Sequence, residues 1–120
     1  MPRSTVTATL TAPGIHCWPG APQHRHYLSY AHRHLFHIAA TVEVTHDDRQ
    51  VEYHDLRDFI VHWLDEFPHL SNDTKNFGAK SCETLARDLW DYLQTTKRVP
   101  NIRAVSVSED GEFTSTLEAT

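Results

Sequence analysis

The chain is short of the features that mark several protein classes. It has only two cysteines, Cys17 and Cys82, far apart and in no pairing pattern. Two free thiols, buried or inert, are expected rather than a disulfide. No apolar run approaches the ~20 residues that span a bilayer. The opening stretch, Met-Pro-Arg-Ser-Thr-Val-Thr, lacks an apolar signal-peptide core, so a cytoplasmic protein is expected. Positive charge is scarce as well: 11 Lys+Arg stand against 16 Asp+Glu, giving a formal net charge of −5 with neutral histidines. With no basic stripe to collect phosphates, nonspecific nucleic-acid binding is not expected.

What remains is ordinary in bulk and unusual in one residue type. Hydrophobic content is 39% and charged content 22% of 120 residues, which suits one soluble domain, residues 1–120, with a single two-layer core. Histidine occurs ten times, so the charge turns more positive below about pH 6.5. Two of the ten form a His-x-His pair, His32-Arg33-His34, at the head of an apolar, β-branched run from Leu35 to Val44. Residues two apart in a strand point to the same face, so these imidazoles converge about 7 Å apart along the backbone, near enough to share one ion. A third imidazole from the preceding segment, His16, would complete a three-histidine site with one position open. That is the pattern of catalytic or ligand-holding zinc, whereas structural zinc is usually closed by four protein ligands. On spacing alone, a histidine-rich surface strand accounts equally well for the pair.

The rest of the chain reads as short alternating strands around two helices. Residues 4–12 alternate Ser or Thr with apolar residues, as a half-buried strand does. Residues 13–31, with three prolines and two glycines, read as a long loop, a type of segment that is often functional. A second strand over 32–45 has His32, His34, Phe36, Ile38, Ala40, Val42 and Val44 on its more apolar face. Leu56, Ile60, Trp63, Leu64 and Phe67 recur at helical spacing, with Asp55 favouring the N-terminus and Pro68 as the stop. Residues 69–80 read as loop, with Asn72-Asp73 and Gly78 as breakers. Ser81 caps a second helix whose buried stripe is Leu85, Leu89, Trp90 and Leu93. Residues 102–108 and 113–117 alternate as two further strands about an Asp110-Gly111 turn. The order ββααββ predicts an α+β fold, an antiparallel sheet with both helices packed on one face.

Several local motifs in this order resemble the 6-pyruvoyl-tetrahydropterin synthase family, which includes the 6-carboxytetrahydropterin synthases. They are Gly14-Ile-His-Cys-Trp-Pro, the His32-Arg-His34 pair, Glu52-Tyr-His-Asp-Leu-Arg57, Leu64-Asp-Glu66, Ser81-Cys-Glu-Thr-Leu-Ala86 and Val107-Ser-Glu-Asp110. The similarity covers roughly residues 5–119 and implies the family's tunnelling fold (T-fold). It also implies Zn²⁺ held by His16, His32 and His34, and a homo-oligomer, trimer or hexamer, with sites between subunits. Glu109 matches the family glutamate that grips the amino-pyrimidinone edge of a pterin, and a carboxylate accepts two parallel N–H bonds from such an edge. Ser81 and Cys82 match positions lining the same pocket.

Two departures touch the chemistry. The family's catalytic cysteine, or the glutamate that replaces it, lies four residues before His-x-His, where this chain has Leu28. Leucine accepts no proton. The family's Asp-His dyad is represented by Asp65 followed by Glu66, with His69 as a displaced candidate for the imidazole. The expectation is therefore a zinc-binding protein that holds a pterin- or purine-type molecule, nucleotides included, without the standard synthase activity. The alternative is a zinc-dependent lyase of the pterin synthase class. It would act on a dihydroneopterin triphosphate-like substrate with a relocated base drawn from Cys17, Cys82, Glu66, His69, His24 or His26, and with Asp65 and His69 as catalytic candidates.

Overall fold

Alternating β-branched and polar residues carry the chain out along one long strand and back along another. The computed structural model describes residues 2–71 and 73–120. Strands β1 (Ser4–His16) and β2 (His32–Val44) pair antiparallel throughout, from Ser4 opposite Val44 to His16 opposite His32. β1 thus runs past the expected end at residue 12, through Pro13 and Gly14. Leu35, opposite Pro13, turns its N–H and C=O away toward Asp110. Proline's missing N–H therefore falls on the open edge of β1 and breaks no ladder bond. At Gly14 a Cβ would lie 2.4 Å from Phe77 Cε2 and 3.0 Å from Phe36 Cδ2. Close approach of two rings is what requires a glycine inside this strand. The connection to β2 contains a 3₁₀ turn, Gln23–Ser29, with no buried residue.

Helix α1 (Tyr53–Leu64) starts where the Glu52 carboxylate accepts the His54 N–H, and it buries Leu56, Ile60, Trp63 and Leu64. It ends before the expected stop at Pro68. Bonds from Glu66 N to Trp63 O and from Phe67 N to Leu64 O, both 3.1 Å, tighten the last turn in 3₁₀ fashion. Phe67 still packs edge-to-face on Trp63, at 5.1 Å between centroids. The following segment, expected to be loop, holds a two-residue strand β3 (Lys75–Asn76) that pairs in parallel with Gly14–Ile15. Asn72, read as a chain breaker, lies outside the described residues.

Ser81 caps helix α2 (Cys82–Asp91) by accepting the Thr84 N–H, and a π-helical turn, Tyr92–Thr96, prolongs it and buries Leu93. Strands β4 (Ile102–Glu109) and β5 (Phe113–Glu118) complete a five-stranded sheet in the order β3-β1-β2-β4-β5. The fold is α+β. Its four long strands are antiparallel, and only the short β3 makes the sheet mixed.

Both helices cover one face of the sheet. There Phe36, Ile38, Ala40 and Val42 of β2 and Val105 and Val107 of β4 meet the helix stripes in one apolar cluster. Trp63 is buried in it and Trp90 packs partly buried against it, so both helix tryptophans belong to the core. The opposite face is polar, with the Thr7 and Thr41 hydroxyls 2.8 Å apart across the strand pair. No helix among the described residues is long and apolar enough to cross a membrane.

Candidate metal centre and adjoining cavity

The register of the first two strands assembles the histidines. His16 stands opposite His32, and Gly14 opposite His34, so the cross-strand neighbour of His34 is the one residue that adds no side chain. Ring centroids are 4.6 Å apart for His16 and His32, 5.4 Å for His16 and His34, and 5.1 Å for His32 and His34. One nitrogen from each ring lies within 4.8 Å of the others. Phe36 underlies the group, meeting His16 and His34 edge-to-face at 5.3 and 5.7 Å.

Each ring is oriented from its outer side. His16 Nδ1 is 2.9 Å from the Lys80 carbonyl, His32 Nδ1 is 2.9 Å from the Tyr30 carbonyl, and His34 Nδ1 is 2.7 Å from Asp110 Oδ2. All three partners are acceptor oxygens, so each Nδ1 carries a hydrogen, and in the neutral ring Nε2 is the nitrogen with the free lone pair. Nε2 of both His16 and His34 is buried without a hydrogen-bond partner. Glu109 comes near, with Oε1 3.1 Å from His16 Nε2 and Oε2 3.5 Å from His34 Nε2, but outside hydrogen-bond geometry. Buried lone pairs of this kind, with their far nitrogens pinned to oxygen, are what a divalent ion requires of histidine. The residues present therefore fit a zinc ion.

Electrostatics agree with that fit. Burial pushes the His16 imidazole below its usual pKa, the Lys80 carbonyl and Glu109 oppose the shift, and His32 and His34 add to it. The ring is thereby held in its neutral, ligating form. Asp110 is held below the usual carboxylate range by the Leu35 N–H and then by His34.

A cavity of about 490 Å³ opens beside the histidines, lined among others by His16, His32, Ser81, Cys82 and Glu109. Leu28 lines it too, as do the half-exposed Trp18 and the exposed Phe113. Both cysteines are free, and both line this space. The Cys82 thiol is pushed up to about 12, chiefly by burial and then by the negative charges of Glu109 and Glu83. At neutral pH it is a thiol and no base.

Asp65 and His69 are placed elsewhere. Neither lines the cavity. Both stand against the buried Lys75, whose Nζ is 3.1 Å from His69 Nε2 and 3.7 Å from Asp65 Oδ1. Glu66 also lies outside the cavity lining, and His24 and His26 sit on the exposed 3₁₀ turn. Sequence reasoning missed the outer partners of the imidazoles, Asp110 and the carbonyls of Tyr30 and Lys80, and the aromatic wall of Trp18 and Phe113. Asp110 carried a signal, a carboxylate directly after Glu109, but its place before Gly111 marked it as a turn residue. Carbonyl partners leave no mark on a sequence.

No protein-family model matches the chain, and no curated protein matches it. Solved structures do. The fold is similar to the 6-pyruvoyl tetrahydropterin synthase of Caenorhabditis elegans, at 15% identity over 100% of this chain and 98% of that one, with a TM-score of 0.70. It is similar to the Plasmodium falciparum 6-pyruvoyl tetrahydropterin synthase, at 12% identity over 98% of each chain, with a TM-score of 0.65. An uncharacterized protein of Wolinella succinogenes matches at 8% identity over 100% of both chains, with a TM-score of 0.64. The similarity runs the full length of the chain: it has the fold of the 6-pyruvoyl tetrahydropterin synthases.

Proposed function

We propose that this protein binds a divalent metal, zinc by ligand type, at His16, His32 and His34. In the adjoining cavity it holds a planar heterocycle of pterin or purine type without carrying out synthase chemistry. The observation behind this reading is the inward set of three Nε2 lone pairs beside a cavity that also contains the Glu109 carboxylate. When bound, zinc would supply a Lewis acid facing the ligand's oxygen substituents.

Glu109 would accept paired N–H bonds from a guanidine-like edge, and the open faces of Trp18 and Phe113 suit a flat ring. Leu28 contributes an apolar wall where the resemblance puts a proton acceptor, and Cys82 holds its proton. Both features favour holding a ligand over transforming one. A cytoplasmic location belongs to the same reading.

The test is metal analysis of the purified protein, followed by incubation with dihydroneopterin triphosphate while product is followed by absorbance and mass. About one zinc per chain and no turnover are expected, with pterins or guanine nucleotides binding in calorimetry. Turnover that His34→Ala abolishes would overturn the binding reading in favour of a zinc-dependent lyase with a relocated base. In the same calorimetric assay, Glu109→Gln is expected to weaken ligand binding by ~1.5–3 kcal/mol through loss of a charge-assisted pair. Unchanged affinity would remove Glu109 from the ligand contact.

Assembly belongs to the proposal as well. β5 is an edge strand, and β3 covers only Gly14–Ile15 of β1. Long open edges in so small a chain invite pairing between copies, as a trimer or hexamer. Light scattering after size exclusion is expected to give a multiple of three chains, and a monomer at working concentration would overturn this part.

A further inference from the structure

The turn between β4 and β5 does more than reverse the chain. The β2–β4 ladder ends at Phe36 opposite Glu109. One step on, Asp110 N donates to the Leu35 carbonyl at 2.8 Å. Its side chain then takes over the return bond: Asp110 Oδ1 accepts the Leu35 N–H, also at 2.8 Å. The second oxygen, Oδ2, meets His34 Nδ1 at 2.7 Å. Asp110 and Gly111 have φ of 56° and 73°, the left-handed pair of a tight hairpin turn. One side chain thus closes the strand register and orients an imidazole.

We infer that Asp110 is a positioning residue for the metal centre, holding His34 as the Nδ1–H tautomer with Nε2 turned toward His16 and His32. The inference rests on the three-histidine reading given above and assigns a role to a residue outside it. His16 and His32 use main-chain carbonyls for the same purpose, so His34 alone depends on a side chain for its orientation. A carboxylate acting through histidine raises the basicity of the ligating nitrogen as well as aiming it, and losing such a partner typically costs about 10–100-fold in metal affinity.

The test uses Asp110→Gly, which keeps the left-handed turn while deleting both acceptors, and Asp110→Asn, which keeps one oxygen for two donors. Zinc affinity is measured by competition with a chromophoric chelator, and ¹⁵N-detected long-range NMR reads the His34 tautomer in metal-free protein. Asp110→Gly is expected to lose about 10–100-fold in zinc affinity and to shift His34 toward the Nε2–H form, with Asp110→Asn between it and the parent. An unchanged tautomer and unchanged affinity in Asp110→Gly would overturn the inference. If the glycine variant does not fold, Asp110→Asn decides by the same two readouts. A parent protein that takes up no zinc would instead overturn the metal reading, while the tautomer measurement still judges the Asp110–His34 pairing.

Discussion

Replacing Phe36 with alanine is expected to lower stability by about 3–5 kcal/mol, more than any surface change in the molecule. The ring is fully buried at the junction of sheet, helices and metal centre. It meets Phe77 edge-to-face at 4.9 Å and lies under His16 and His34. Truncation removes the transfer free energy of the ring and leaves a space its neighbours fill only in part. Against a total of roughly 5–15 kcal/mol for a domain of this kind, the loss is large. Calorimetry is expected to show a melting temperature lower by roughly 10–20 °C. An unchanged melting temperature would mean that the core is not built around this ring.

His34→Ala is expected to reduce zinc affinity by about 10²–10³-fold while leaving the fold in place. Structural zinc sites with four ligands bind with roughly 10–16 kcal/mol, or about 2.5–4 kcal/mol per ligand, which converts to roughly that range. The side chain sits near the start of β2 and is partly open to solvent, meeting Phe36 and His16 edge-to-face on its inner side. Chelator competition gives the affinity, and far-ultraviolet circular dichroism checks that the fold survives. Parent-like affinity in this variant would remove His34 from the ligand set. A different histidine arrangement would then have to hold the metal.

The contrast between these two positions shows what the sequence makes legible. Phe36 and His34 lie on one face of β2 because side chains alternate, and that follows from spacing alone. The cap of α2 was legible for the same local reason, since Ser81 acts on a backbone group three residues away, whereas the start of α1 was read from Asp55 and its capping side chain, Glu52, was not. Features that depend on a remote partner were not. β3 is two residues long and exists because Gly14 and Ile15 offer it an edge, and no periodicity can appear in so short a piece. The extension of β1 through Pro13 depends on which way Leu35 turns its backbone groups. Phe67 has the spacing of a helical residue and packs like one, yet it lies beyond the helix because 3₁₀ bonds close the last turn. In the site, the converging imidazoles were readable, whereas their outer partners were hidden. Two are main-chain oxygens, and the third is an aspartate whose turn chemistry masked its second task.

That division among the outer partners bears on how the centre tolerates sequence drift. Every amino acid carries a carbonyl, so exchanges at positions 30 and 80 leave the acceptors for His32 and His16 in place as long as the backbone path holds. Two spokes of the wheel are thus insensitive to side-chain identity, and a single codon, the one for Asp110, carries the information for the third.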